Sequence, residues 1–439
     1  MIEQKRNLLD QKIVVLSGVR GDTRRYRTIH LYEQLTLAGV NCLLSHITDP
    51  ELPQKIDQAS VVIFHRTTYD TYVEQLLDSI HKQNSLAILD VDDLVFDPSA
   101  FNWIASPDFQ DPMRAALYQE DMRRHQATLN ACHAVIASTS YLAEQVRALG
   151  KPAWIHRNAF SLEMLAISES SFRQEQISTN KVIIGYASGT PTHDRDFELV
   201  KPALRYILRN YPDTELWVIG HLDPGEDWGE LAKRIKHFKF MPWRDLPKIL
   251  VKFDINLAPL VTDNPFGQSK SEIKYVEAGL VKVPTIASPT EAFEHAIQPG
   301  ENGFLATAEK EWIDTFSLLI EEAKTRQAIG ERAYVNVLER YHPFVRSAEL
   351  INTLDQIHKQ FFSKPLWEFS KLNIQNIPPQ IDKHRAMSIW VGPDVESRPS
   401  LTDMALYSFR NRGIKTLLMQ LWVYIRRLFA PIFPYKKTG

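Results

Sequence analysis

The densest group of chemically capable side chains is "AILDVDDLVFD" (87–97), which sets Asp90, Asp92, Asp93 and Asp97 within eight positions. Carboxylates so close together fit three roles. They could hold a hard cation, because Mg²⁺ and Ca²⁺ take oxygen ligands and a bound ion would then serve as Lewis acid. They could take a proton from a reacting hydroxyl. They could also be the polar end of a strand, capping the turn that follows. His65 and Arg66 close an earlier apolar run, "SVVIFHR" (60–66), and are candidates for the same pocket.

Three further segments carry groups suited to an anion. In "NPFGQSKSEIKYVEAGLVKVPTIAS" (264–288), Asn264, Pro265 and Gly267 make a turn, and Ser269 with Glu272 has capping-box spacing, predicting a helix start. Lys270, Lys274 and Glu277 then share one helix face. A helix N-terminus with two lysines suits a diphosphate, and Glu277 one turn deeper suits the hydroxyls of a ribose; the plainer alternative is a solvated Lys/Glu face. In "GYASGTPTHDRD" (185–196), Gly189 permits close backbone approach, while His193 and Arg195 stand at a predicted helix start, unless Thr190, Thr192 or Asp194 simply caps it. In "SGVRGDTRRYR" (17–27), Gly18 and Gly21 make a turn, and Arg20, Arg24, Arg25 and Arg27 offer bidentate phosphate contacts or form a charged surface loop. The loop is not GxGxxG, so a dinucleotide site is unsupported.

The elements that must position these groups are short, nearly continuous apolar runs. They cover 12–18, 60–66, 86–93, 134–139 and 152–158, then 181–189, 214–221, 255–260, 283–288 and 302–306. Such runs suit parallel strands covered on both faces. The stretches between them have helical spacing, as in "RTIHLYEQLTLAG" (27–39), giving βαβ alternation. The rhythm lapses in "SLEMLAISESSFRQEQISTN" (161–180) and restarts afterwards, which predicts two α/β domains. Ligands of open parallel sheets bind beyond the carboxyl ends of the strands, where all the segments above fall.

Composition narrows the classes. The 439 residues are 44% hydrophobic and 24% charged, with 51 Lys plus Arg against 53 Asp plus Glu, a net charge of −2 that gives no reason to expect nucleic-acid binding. Only Cys42 and Cys132 occur, which fits a reducing compartment. The opening "MIEQKRNLLDQK" lacks a signal-peptide core, and no run reaches the ~18 apolar residues of a membrane span. The expectation is a cytoplasmic protein. The last 36 residues hold seven Lys or Arg and no Asp or Glu, with large apolar residues between them. This mixture suits either the inner face of a membrane or packing on a partner or on the chain's own core.

The order of turn, glutamate-bearing helix, Ala-Gly and small-residue strand in 264–288 resembles the donor-binding half of the retaining group 1 glycosyltransferases, which have the GT-B fold. "GYASGT" with "ELWVIG" (215–220), and the glycine-bearing loop 17–27, resemble the same family, and "RNAF" (157–160) resembles its Asn-Gly segment with Ala159 for glycine. The resemblance implies two facing Rossmann-like domains with parallel sheets, an interdomain cleft and a C-terminal helical tail. The implied division is 1–165 for the acceptor side, 166–180 as linker, 181–340 for the nucleotide-sugar side, 341–362 as a helix crossing back, and 363–439 as an extension. It implies sugar transfer from a nucleotide diphosphate sugar to a saccharide or lipid-linked hydroxyl, with retention and without metal or cofactor. Gly18, Arg24, Gly189, His193, Arg195, Lys270, Lys274 and Glu277 would bind donor. Asp92, Asp93 and His65 would serve catalysis, and Arg66 with Asp92 and Asp93 the acceptor. That family has two glutamates eight positions apart; Glu277 matches the second, but Ser269 stands at the first. A nucleotide-sugar epimerase and a non-catalytic binding subunit are the alternatives. The nucleotide base, the sugar and the oligomeric state are not specified by these residues.

Overall fold

Continuous apolar runs become buried parallel strands, and the carboxyl ends of those strands meet across a cleft. The structure is a computed structural model that describes residues 11–21, 23–104, 106–174, 181–189, 194–225, 227–367 and 399–429. The first sheet contains β1 (Lys12–Ser17), β2 (Asn41–His46), β3 (Val61–His65), β4 (Leu86–Val91), β5 (Ala134–Ala137) and β6 (Ala153–Ile155) in the order β2-β1-β3-β4-β5-β6. The second contains β7 (Val182–Ser188), β8 (Thr214–Gly220), β9 (Ile235–Phe238), β10 (Ile255–Ala258), β11 (Thr285–Ala287) and β12 (Phe304–Leu305) in the order β12-β11-β10-β7-β8-β9. All pairings between these strands are parallel. This is the two-domain Rossmann-like GT-B architecture.

β3, β4 and β5 are buried along their whole length, as expected where helices cover both sheet faces. Register brings Ser17 opposite His65 and His65 opposite Asp90, so three polar residues line up at the carboxyl ends of β1, β3 and β4. β2 and β9 have no counterpart among the predicted runs. Both are edge strands with partly exposed residues, "NCLLSH" and "IKHF", and an edge has less need of continuous apolar sequence.

The expected polar linker is also different. Leu162–Gln174 is a helix, started by Glu33, whose carboxylate accepts from Leu162 N at 3.1 Å. Met164 and Leu165 pack with Phe160, Tyr275, Val276 and Tyr341 in the second domain's core. The inward positions further along are the buried serines Ser168 and Ser171, so the apolar stripe fades from the sequence while the helix continues. Residues 175–180 lie outside the described residues.

Three helices follow the second sheet: Glu309–Glu321, Ala323–Tyr341 and Pro343–Phe362. The last packs Leu350, Ile351, Leu354 and Ile357 with Ile13 and Val15 of β1, and its Ser347 Oγ donates to Gln34 O at 2.6 Å. Within the extension, Leu401–Phe429 is two helical arms meeting at Gly413, whose φ of 83° is in the region that favours glycine. No helix among the described residues is long and apolar enough to cross a membrane.

Candidate functional site

Between the two sheets lies a pocket of about 190 Å³, lined from the first domain by Tyr26, Arg66, Asp92, Asp93 and Asn158 and from the second by Lys270, Ser271, Lys274 and Phe293, among others. Its first-domain wall depends on a sharp exit from β3. Arg66 adopts φ 48°, unusual for a residue with a Cβ, and Gly18 makes room for that turn. A Cβ on Gly18 would lie 2.3 Å from Arg66 O. Arg66 Nε then donates to Asp92 Oδ1 at 2.6 Å, and Nη2 lies 3.4 Å from Asp93 Oδ2.

The second-domain wall corrects the helix prediction. There is no single helix from Ser269, and no capping box. Pro265–Ser269 is one short helix, capped by Asn264 Oδ1 accepting from Phe266 N at 2.8 Å, and Ile273–Gly279 is another. Lys270 sits at the break with ψ 138°, so it leaves the face shared by Lys274 and Glu277. Ser269 Oγ lies 2.8 Å from Phe266 O and 3.1 Å from Asp93 Oδ1. Glu272 is buried, accepts from Tyr341 OH at 2.9 Å and stands 3.8 Å from Arg157.

The freed Lys270 Nζ donates to Asp93 Oδ2 at 2.8 Å, across the cleft. Burial works to raise the Asp93 carboxyl, but the Lys270 and Arg66 charges outweigh it and hold the group below the usual carboxylate range. Asp92 is likewise held low against burial, chiefly by Arg66. Both aspartates therefore face cations. Among the described residues no group of three His, Cys, Asp or Glu side chains is placed to hold a metal ion.

Lys274 Nζ donates to Ala187 O at 2.8 Å and lies 4.2 Å over the Tyr186 ring. Burial lowers its pKa to about 8, with Asp196 and Glu277 opposing. Glu277 receives a hydrogen bond from Tyr26 OH of the opposite domain. Burial pushes the Tyr26 phenol far above its ordinary pKa, and Glu277 adds to this over the opposition of Arg25, so the hydroxyl is a standing donor.

Several expected residues lie elsewhere. His65 is fully buried, with Nδ1 3.2 Å from Asp90 Oδ1, and does not line the pocket. Asp90 is engaged by Arg27 through Nε at 2.8 Å and Nη2 at 2.6 Å, which holds its carboxyl down to about 2 although burial acts to raise it. The arginine run is dispersed: Arg25 and Arg27 lie in a helical turn, Arg25–Ile29, whose successive side chains point different ways, and Arg20 and Arg24 precede it. Arg24 is buried beside a separate groove with His46 and Asp49, and Arg25 stacks on Trp243 at 4.7 Å. Gly18 borders a different cavity. Gly189 is in an open bend where a Cβ would meet nothing within 4 Å, Arg195 is exposed, and His193 lies outside the described residues.

Tyr26, Asn158 and Ser271 fall within the strand-end segments that the sequence marks out, but it assigns none of them a role. Asn158 Nδ2 donates to Ser271 Oγ at 2.8 Å while its Oδ1 accepts from Arg27 at 2.9 Å, joining the domains beside the pocket. The matching of "RNAF" to an interdomain segment was the one signal for Asn158. Tyr26 gave none, being enclosed by arginines.

Comparison with known proteins bears on this arrangement. Residues 181–322 match the protein family described as "Glycosyl transferases group 1". Among solved structures, HepE of Anabaena in complex with UDP-glucose is similar at TM-score 0.54 and 14% identity, covering 79% of this chain and 99% of that one. A glycosyltransferase of Rickettsia africae is similar at TM-score 0.56 and 13% identity, covering 80% and 99%. Sucrose-phosphate synthase of Thermosynechococcus elongatus is similar at TM-score 0.54 and 14% identity, covering 80% and 99%. At these identities the likeness establishes the fold. No curated protein matches the sequence.

Proposed function

We propose that the interdomain pocket transfers a sugar from a nucleotide diphosphate sugar to a hydroxyl acceptor, a saccharide or lipid-linked glycan, with retention of configuration and without a metal ion. The observation that carries this reading is the pairing across one pocket of Asp92, Asp93 and Arg66 with Lys270, Lys274 and, through Tyr26, Glu277. Glu277 would take the ribose hydroxyls, and Lys270 with Lys274 the diphosphate. The group 1 match over the lysine-bearing domain and the UDP-glucose complex of HepE support the donor class.

Lys270 gives the reaction an internal exchange. It neutralises Asp93; an arriving diphosphate competes for that charge and frees Asp93 to accept from a second, non-reacting hydroxyl of the acceptor. The new bond forms between the acceptor oxygen and the anomeric carbon as the bond to the diphosphate breaks. The acceptor proton passes to the leaving phosphate oxygen on the same face, and the lysines stabilise the charge left behind. Asp93 also brings a carboxylate within 3.1 Å of Ser269 Oγ, the position where the resemblance expects glutamate.

The test is thermal stabilisation by UDP, GDP, dTDP and CMP with their sugars, with and without Mg²⁺, on the parent chain and on Glu277→Ala. Selective stabilisation by one diphosphate, independent of metal and lost in Glu277→Ala, is expected. A strict Mg²⁺ requirement lost in Asp92→Asn would overturn the metal-free reading, and a new sugar isomer formed from donor alone would identify an epimerase.

A further inference from the structure

We infer that the cavity beneath the C-terminal elbow holds the hydrocarbon chain of a lipid-linked acceptor, with the outer face of the elbow lying in the anionic bilayer that carries it. This rests on the transferase reading above and specifies its acceptor. The cavity measures about 340 Å³, roughly twice the ~150 Å³ apolar cavity that accommodates a benzene ring. Both helical arms and the first domain enclose it, and Ile47, Met404, Leu417, Leu421 and Tyr424 give it apolar walls.

The walls of the cavity and of the interdomain pocket adjoin in the chain. Gly18 and Thr67 line one side of the cavity, and Arg66, next to Thr67, lines the interdomain pocket. A chain in the cavity would therefore leave its head group beside the Asp92, Asp93 and Arg66 wall. Arg20 lines the cavity, and among the described residues its buried Nε has no hydrogen-bond partner. A phosphate linking chain to sugar would satisfy it.

The elbow is fixed in place by polar contacts. Tyr407 OH donates to Asp70 at 2.8 Å, Arg412 Nη1 lies 3.3 Å from Asp121, and Arg426 Nη1 lies 2.9 Å from Asp111. Its other side is apolar and uncovered by any described residue, with Phe409 48%, Ile414 54%, Leu418 57% and Ile425 51% exposed. Arg410 and Lys415 are exposed on the same elbow, within a 36-residue stretch having seven basic and no acidic residues. Large apolar residues with Lys and Arg and no acid suit the headgroup boundary of an anionic membrane. A protein partner would explain the apolar face, but it would not explain a chain-sized cavity walled by that elbow and by the residue next to Arg66.

The full-length protein tests this with two probes. Farnesyl diphosphate should raise the melting temperature more than inorganic diphosphate does, and Ala405→Trp or Leu417→Trp, each filling the cavity, should weaken its binding at least tenfold. Vesicles of phosphatidylcholine with phosphatidylglycerol should sediment the parent protein, and Ile414→Glu with Leu418→Glu should abolish this. Nucleotide diphosphate binding measured on every variant reports folding and separates the two readings. Nucleotide binding without farnesyl or vesicle binding overturns the lipid site alone, whereas farnesyl and vesicle binding without nucleotide binding overturns the donor reading alone. Equal farnesyl affinity in the filled variants, or a parent dimer that Ile414→Glu dissociates in place of vesicle binding, would refute the inference.

Discussion

Tyr26→Phe is expected to tighten nucleotide diphosphate binding. The pocket of about 190 Å³ is smaller than the ~300–1,000 Å³ of ordinary ligand sites, so the cleft must open before a nucleotide enters. Opening breaks the Tyr26–Glu277 hydrogen bond and the Asp93–Lys270 pair, and on the proposed reading the ribose then takes the carboxylate that Tyr26 has released. A hydrogen bond to a charged group contributes at least about 1.5 kcal/mol, which corresponds to roughly tenfold in Kd. Phenylalanine removes that competitor while keeping the ring, which carries Arg25 at 4.1 Å from its centroid and meets His30 edge-on at 5.5 Å. Titration calorimetry with the diphosphate selected by the stabilisation panel reads the change directly. The same substitution in a Glu277→Ala background should do nothing, because the two groups act as a pair. Weaker binding in Tyr26→Phe would refute the reasoning, since it would make Tyr26 a nucleotide ligand and leave Glu277 without the assigned role.

Two further outcomes follow from buried titrating groups. Lys274, lowered to about 8 mainly by burial, should make diphosphate affinity fall as pH rises through about 8, with the inflection absent in Lys274→Met; calorimetry at pH 7, 8 and 9 checks it. Glu33, raised to about 8 by burial against the Leu162 N–H and with Glu163 adding to the rise, is a group whose folded pKa exceeds its unfolded one. Its contribution to stability is present below about 4.5 and lost as pH rises toward about 8. Glu33→Gln, which keeps an oxygen for Leu162 N, should therefore raise the melting temperature at pH 8 and leave it nearly unchanged at pH 4.5. Equal shifts at both values would exclude Glu33 as the titrating group.

The fold was legible wherever burial on both faces forces continuous apolar sequence. β3, β4 and β5 stand out for that reason. The edges β2 and β9, partly exposed, give no such signal. The helix Leu162–Gln174 was hidden differently: Ser168 and Ser171 occupy its buried side, and small hydroxyl residues do not register as a stripe.

The candidate site was legible one wall at a time, because local spacing sets which residues end a strand but not what faces them. Asp92 and Asp93 lie at the predicted strand end, and Lys274 with Glu277 on the predicted helix. What redefined the rest came from tertiary contacts. Asp93 of the opposite domain lies within hydrogen-bond range of both Ser269 and Lys270, at the break that replaces the predicted capping box. Arg27 and Asp90, 63 positions apart, form a buried pair, and His65 is fixed behind the pocket by its register beside Asp90. Leaving Asp90 buried without Arg27 would cost several kcal/mol, so one arginine of the run is structurally committed whatever the loop binds. A run of four arginines reads as one cationic surface only if the chain is extended and its side chains share a face; here Arg20, Arg24, Arg25 and Arg27 serve four separate environments. The cleft's positive charge then falls to Arg66, Lys270 and Lys274; Arg66 pairs with Asp92 and Asp93 on its own wall, and Lys270 reaches Asp93 across the cleft.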